Sequence, residues 1–506
     1  MSPLLPPTVP VEVSTRRGLL RERQTHPFDA VIVLISAKDS HETLAQLPNG
    51  RMWLRLRQTL HRGGNTPHLV ARLDNAKTTV MVVGFVTEDA MPFSCLTQAA
   101  KLVKEIGIEH CTHIALAGAG LSQNIETVAL ESLLAATLAA AVPMPQFKRK
   151  PAKRPALKGI TIFHCGVRPK LDTALATHAG NYLARWLTTL PPNQLNCQSY
   201  ARALRTLAAR QRWQYRIFNE AALKRAGAGA FLAVSRANAH RGASIVKLSY
   251  RPRTQSRHGS LHRLALVGKG VCFDTGGINL KPHKSMYQMH EDMQGSAVAV
   301  GTLLALTELQ VPFAVDCWLA LTENEIGPHA YRPQEVVTAV NGVTIQVVHS
   351  DAEGRMALAD TLALAARDKP NVMLDFATLT GSCIGALTER MSGVFTNRPA
   401  WHATLEKAGR DSGERVWPFP MDEDYDSDLD SHVADVLQCT LDSKGDHILA
   451  ARFLNRFVPK ETGWVHVDLA ASNRSGGLAH IPTDFTGFGV RFAVEWLLKA
   501  KAMSVR

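Results

Sequence analysis

Paired cysteine motifs are missing from this 506-residue chain. Its cysteines, Cys95, Cys111, Cys165, Cys197, Cys272, Cys317, Cys383 and Cys439, are scattered and include no CxxC. That excludes a dense disulfide framework and reads as reduced thiols in a cytoplasmic protein. No window reads as the ~18 apolar residues of a membrane span. The opening Met1-Ser2-Pro3-Leu4-Leu5-Pro6-Pro7 lacks a basic stretch followed by a long apolar run, so no signal peptide is expected. The histidines form no HExxH pair, and Gly268-Lys269-Gly270 belongs to no G-x-x-x-x-G-K-[ST] phosphate loop. What is present, 45% apolar and 20% charged residues, is the composition of a soluble globular protein. The length calls for two or three domains. A net charge of +13 attracts nucleic acid or anionic surfaces but does not bear on fold.

Hydrophobic periodicity gives alternating strands and helices. Strands are expected at Phe28–Ile35, Thr79–Val86, His113–Ala117 and Gly159–Phe163, with helices at Leu96–Ile106 and Asn124–Ala141 between them. This makes residues 1–168 an N-terminal α/β domain. Its first 25 or so residues, Pro-rich and then Arg-rich (Arg16, Arg17, Arg21, Arg23), read as mobile. The run from Gln146 to Pro155, with five cations and two prolines, reads as a solvated loop, with an anion or nucleic-acid contact as the alternative. A helix over 171–189 ends at Pro191-Pro192-Asn193, because proline lacks an N–H and clashes with the preceding turn. Residues 169–192 are thus a linker, and 193–506 form a larger α/β domain with a central mixed sheet flanked by helices.

The chemistry concentrates in two stretches of this second domain. In His349-Ser350-Asp351-Ala352-Glu353-Gly354-Arg355, two carboxylates lie where a strand (343–348) gives way to a helix pattern from Met356. That is the usual place for sites in parallel sheets. Spacing alone also fits helix capping and dipole compensation. Upstream, Leu264–Val267 is an apolar strand expected to lead into a glycine-rich turn carrying Lys269 and Asp274, followed by Lys281 and Asp292. Gly276 and Gly277 would allow close backbone approach.

Taken together, the GKG-x-x-FD-x-GG block, Lys281-Pro282, Asp292, the DAEGR block and Ala377-Thr378-Leu379-Thr380-Gly381 resemble the leucyl aminopeptidase family of two-metal exopeptidases. The resemblance implies an N-terminal macro-like domain and a catalytic C-terminal domain. It implies five metal ligands, Lys269, Asp274, Asp292, Asp351 and Glu353, with Asp274 and Glu353 bridging. Lys269 and Asp292 would complete one site and Asp351 the more exchangeable one. Four carboxylates held together without cations would repel strongly, and a hard oxygen set with one amine suits Mn or Zn, with Mg or Co as alternatives. Two such ions lower the pKa of a bound water toward 7. By the same resemblance Lys281 stabilises the oxyanion, and Arg355 holds a bicarbonate that serves as general base. Met289, Thr378, Leu379, Gly381, Ala470 and Asn473 would line the pocket for the substrate's first side chain, favouring an uncharged residue. A homo-hexamer is implied as well.

The chain departs from the family pattern in four places. His349-Ser350 replaces the usual Asn-Thr, Ala471 the usual glycine, Asn473 stands where a large apolar residue is common, and Thr440–His447 lacks the usual Gly-rich character. A more polar side-chain pocket and a reshaped neighbouring loop are therefore expected. The alternative reading, motivated by the basic charge, is a DNA-binding accessory protein on a peptidase scaffold.

Overall fold

The computed structural model describes residues 4–38, 40–61, 68–150, 156–166, 168–169, 171–239, 242–252 and 262–499. The chain divides into two compact units. One holds Pro7–His178 with Ser475–Asp484, the other Ala179–Arg474 and the chain from Phe485. The helix Leu171–Thr189 spans the division. The architecture is α/β throughout, as the alternating periodicity requires.

The first unit is built on a six-stranded sheet. Its strands are β1 (Glu12–Arg17), β2 (Ala30–Ser36), β3 (His68–Arg72), β4 (Val80–Val86), β5 (His113–Ala119) and β6 (Gly159–His164), in the order β1-β6-β5-β2-β4-β3. Every neighbouring pair is parallel except β3–β4. The central strand β2 is buried along its whole length, which is why it reads as a continuous apolar run rather than an alternating one.

Two expectations are corrected here. The N-terminal stretch contains an ordered strand, β1, which pairs in register with β6 from Glu12↔Gly159 to Arg17↔His164. Val11 and Val13 pack onto the core beneath it, and the open edge of β6 supplies the backbone ladder. The helix Gln123–Ala141 is, by length and composition, apolar enough to cross a membrane. Two-thirds of its most apolar window is nevertheless buried, and it packs on β5 and the helix Pro92–Glu105 through Leu130, Leu133 and Leu134. It is a core helix. Of the basic run, residues 146–150 are loop, and Pro151–Pro155 lie outside the described residues.

The second unit carries an eight-stranded sheet. Its strands are β7 (Gln214–Asn219), β8 (Ser244–Tyr250), β9 (Arg263–Asp274), β10 (Ala314–Asn324), β13 (Val372–Ala377), β14 (Ser392–Thr396), β15 (Val416–Pro418) and β17 (Gly463–Asp468). Its order is β15-β14-β17-β13-β9-β10-β8-β7. A small three-stranded sheet joins β11 (Val336–Thr338), β12 (Thr344–Gln346) and β16 (Val436–Leu437). The four middle strands β17, β13, β9 and β10 run parallel, and antiparallel strands close the sheet on both sides. Helices Gln294–Glu308 and Glu353–Ala366 are buried along nearly their whole length against β9 and β10.

The glycine-rich segment is strand, not turn. β9 continues to Asp274 because β10 pairs with it along that length, Lys269 opposite Ala320. The register then shifts: Val271 faces Thr322, but Asp274 faces Asn324. An extra residue on β9 at this bulge brings Asp274 and Asn324 side by side.

Candidate active site

The carboxyl ends of the four parallel strands deliver the site. Asp274 ends β9, Asn324 ends β10, Thr378 follows β13 and Asp468 ends β17. Crevices at these strand ends are where open α/β sheets bind ligands. From above come the loop bearing Asp351 and the helix Glu353–Ala366, whose first residue is Glu353. Asp292 follows a short 3-10 turn, Met289–Glu291.

These elements converge on a cavity of about 380 Å³ lined by Lys269, Asp274, Lys281, Asp292, Asp351 and Glu353. Carboxylate oxygens of Asp274, Asp351 and Glu353 all lie within 4.8 Å of one another. Two ammonium groups thread the acids. Lys269 Nζ lies 2.8 Å from Asp292 and 2.9 Å from Glu353, and it donates to the Thr378 carbonyl at 2.9 Å. Lys281 Nζ lies 2.8 Å from Asp274 and 2.5 Å from Asp351. Four acids against two ammonium groups leave an excess of negative charge.

The electrostatics follow from that excess under burial. Asp274 is pushed up to about 7, by desolvation first and then by the Glu353 carboxylate. Desolvation likewise raises Asp292 and Asp351. Glu353 goes the other way: burial opposes its ionisation, but Lys269 and Lys281 together outweigh it. Burial disfavours the Lys269 ammonium too, yet Asp292, Glu353 and Asp274 hold it protonated.

Does this cluster suit a pair of divalent cations? The ammonium nitrogens sit between carboxylates at cation-like separations, and Asp292 Oδ2 is buried with no hydrogen-bond partner among the described residues. Hard oxygens plus one lysine amine form a donor set such ions accept. The residues fit. Local backbone makes room for them. A Cβ on Gly354 would lie 2.7 Å from Lys269 Nζ, and one on Gly276, at φ +86°, would lie 3.0 Å from Asp351. Any larger residue at 354 would force the end of the Lys269 side chain to shift.

The expected side-chain pocket is continuous with this cluster. Met289, Thr378, Leu379, Gly381, Ala470 and Asn473 all line the same cavity. Asn473 makes it polar: its amide donates to Glu291 Oε2 at 2.8 Å and to Gln288 Oε1 at 3.0 Å. Burial raises Glu291 to about 7, against hydrogen bonds from Asn473 and Gln294 that lower it.

Arg355 is placed differently from the other predicted residues. It is not among the cavity-lining side chains. Its guanidinium is buried beneath the helix start, Nη2 bonded to both oxygens of Asp446 at 2.8 Å and Nη1 to the Gln438 carbonyl at 3.1 Å. A carboxylate of the chain thus takes Nη2 and a carbonyl takes Nη1, so the two terminal donors assigned to bicarbonate are already engaged and the residues present do not fit that anion. The expected bicarbonate is corrected accordingly. His349, which departs from the family pattern, is exposed, and its Nδ1 accepts from the Asp351 amide at 3.2 Å.

Several supporting residues were not evident from the motifs. The Asn324 amide donates to Asp274 Oδ1 at 2.8 Å and to the Ser350 carbonyl at 3.0 Å. Tyr331 donates to that same carbonyl at 2.7 Å. Asp468 accepts from the Thr380 hydroxyl at 2.6 Å and the Leu379 amide at 3.2 Å, fixing the loop after β13. Polar residues at the carboxyl ends of apolar strands were the available signal for Asn324 and Asp468.

A model of the catalytic domain of the cytosol aminopeptidase family matches residues 182–494. A probable cytosol aminopeptidase of Syntrophotalea carbinolica is 38% identical over 333 residues, 66% of this chain and 66% of the relative. One from Stutzerimonas stutzeri is 39% identical over 338 residues, 66% and 67% of the two chains. The chain spans about two-thirds of the length of the curated relatives it matches. Among solved structures, a point mutant of tomato leucine aminopeptidase has a TM-score of 0.82 at 25% identity, covering 98% of each chain. The bottromycin maturation enzyme BotP in complex with Mn has a TM-score of 0.79 at 26% identity, covering 94% of this chain and 99% of that one. The matched span takes in the whole cluster and more than half of the chain, and on that ground the protein belongs to the cytosol aminopeptidase family.

Proposed function

We propose that the protein is a metal-dependent aminopeptidase of leucyl type, releasing the N-terminal residue of peptides. The observation that carries this reading is the buried cluster of Asp274, Asp292, Asp351 and Glu353 with Lys269 at the head of a cavity large enough for an amino-acid side chain. Divalent ions held there, Mn or Zn, would supply an activated water and an anchor for the substrate's free amine. Asp274 and Glu353 would hold both ions, Lys269 and Asp292 one of them, and Asp351 the other.

The chain's own groups account for the rest. Lys281 lines the cavity with a partly accessible ammonium, the donor suited to a developing oxyanion. Asn324 and Tyr331 hold the acidic loop through the Ser350 carbonyl, so the carboxylates keep their spacing when substrate enters. Met289, Leu379 and Ala470 provide apolar walls, which supports an uncharged first residue, while Asn473 and Glu291 add a polar rim. A homo-hexamer is part of the same proposal.

The test is hydrolysis of Leu-p-nitroanilide by metal-stripped protein, with Mn or Zn restored, beside Glu353→Ala. Activity that returns with metal and stays absent in the variant supports the reading. No turnover with either metal, across several N-terminal residues, overturns it.

A further inference from the structure

The Arg355 side chain is 2% exposed, and its charge is neutralised from within the chain. Both oxygens of Asp446 face Nη2 at 2.8 Å; among the described residues the guanidinium's only other bond runs from Nη1 to a carbonyl, and Nε has no partner. Asp446 is not a chance neighbour. It is the first residue of the helix Asp446–Asn455, entered through Gly445 at φ +60°, where the helix dipole favours a negative charge. The next residue is fixed as well. His447 donates its amide to the Ser382 hydroxyl at 2.9 Å, and its Nδ1 lies 3.0 Å from the same oxygen. Ser382 follows Gly381, which lines the cavity, so the helix start that carries Asp446 is tied through His447 to the segment beside the cavity wall, and its carboxylate to Arg355. A tethered carboxylate loses no translational freedom when it docks, whereas a small anion from solution must pay for it.

We propose that Asp446 is a built-in anion at Arg355: it takes the position a soluble bicarbonate would occupy, orients the guanidinium, and makes hydrolysis at the adjoining site independent of bicarbonate. Asp446 is a positioning residue that acts through Arg355, whose helix begins with Glu353. The proposal rests on the aminopeptidase reading for its rate arm only. Its binding arm stands by itself.

The experiment titrates bicarbonate, at constant pH and ionic strength, into CO2-depleted full-length protein, wild type and Asp446→Gly. Rates are followed with Leu-p-nitroanilide and Mn. Binding is followed separately, without metal, by line broadening of 13C-bicarbonate. Wild type should change rate by less than about twofold and leave the 13C line sharp. Asp446→Gly should lose about tenfold or more, regain most of it with bicarbonate but not with chloride, and broaden the line. Bicarbonate binding and severalfold activation of wild type would overturn the proposal. So would a variant that loses activity but neither binds the anion nor is rescued, since Asp446 would then be merely structural. If Asp446→Gly does not fold, Asp446→Ser, which keeps a short polar side chain at the helix start but vacates the position of the carboxylate, takes its place in both arms. Should wild type show no turnover at all, the aminopeptidase reading fails, while the 13C comparison still decides whether Asp446 closes the anion site.

Discussion

Asn324 Nδ2 lies 2.8 Å from Asp274 Oδ1, and this one buried amide also reaches the Ser350 carbonyl at 3.0 Å. It joins the end of β9 to the loop bearing Asp351, so two carboxylates from distant parts of the chain keep their separation. Asn324→Ala removes a donor shared by two buried acceptors, a loss of about 1–3 kcal/mol. Urea unfolding should show that cost. Activity should fall mainly in kcat, because the spacing of the carboxylates, rather than a direct contact with substrate, is disturbed. A variant as stable and active as wild type would show that the Gly276 amide and Tyr331 hold the two acceptors without it.

Lys281→Met keeps the length and apolar stem of the side chain and deletes its charge. Loss of a donor to an oxyanion costs about 10²–10³ in kcat with a smaller change in KM. Steady-state kinetics on the Mn-loaded protein measure this split. A change confined to KM would place Lys281 in substrate binding alone.

Asn473 adds a polar amide beside the apolar walls of Met289, Leu379 and Ala470. Asn473→Met should raise kcat/KM for an N-terminal Leu relative to Ser by about tenfold, the scale on which a few apolar contacts discriminate. It also removes a hydrogen bond from Glu291, so the ratio, not the absolute rate, is the quantity to compare.

Glu414 gives a stability prediction away from the site. Burial raises its pKa to about 7, despite hydrogen bonds from the Phe492 and Gly489 amides that lower it. Between the unfolded value near 4.5 and about 7, the native state keeps a proton that the unfolded state has released. Stability from this group is therefore fully present at acid pH, falls as pH rises through that window, and stays lower above it. Both amides bond to the same oxygen, so Glu414→Gln can keep them while remaining neutral. From pH ~5 to ~7 the glutamine variant should gain on wild type by up to about 1.4 kcal/mol per pH unit, then level off. Urea midpoints at several pH values measure the gap, and a gap that does not move with pH would mean Glu414 ionises at its ordinary value.

Local pattern determined a good part of this molecule. Apolar runs such as residues 30–35 are strands buried on both faces, and the helix Leu171–Thr189 ends where Pro191 forbids another turn. The acidic residues and lysines of the cluster were visible because their motifs are contiguous blocks, each spelled within a few residues. What no local window contains is the partner of each side chain. Asp446 meets Arg355 across 91 residues, and Asn324 meets Asp274 across 50 only because strand order places β10 beside β9 and a bulge shifts their register. The ordered strand β1 likewise exists because β6 offers it an edge, which the Arg-rich composition around it does not disclose. Sequence sets the period and the inventory of charges. Tertiary structure decides which charges face one another, and so it seated Asp446 on Arg355.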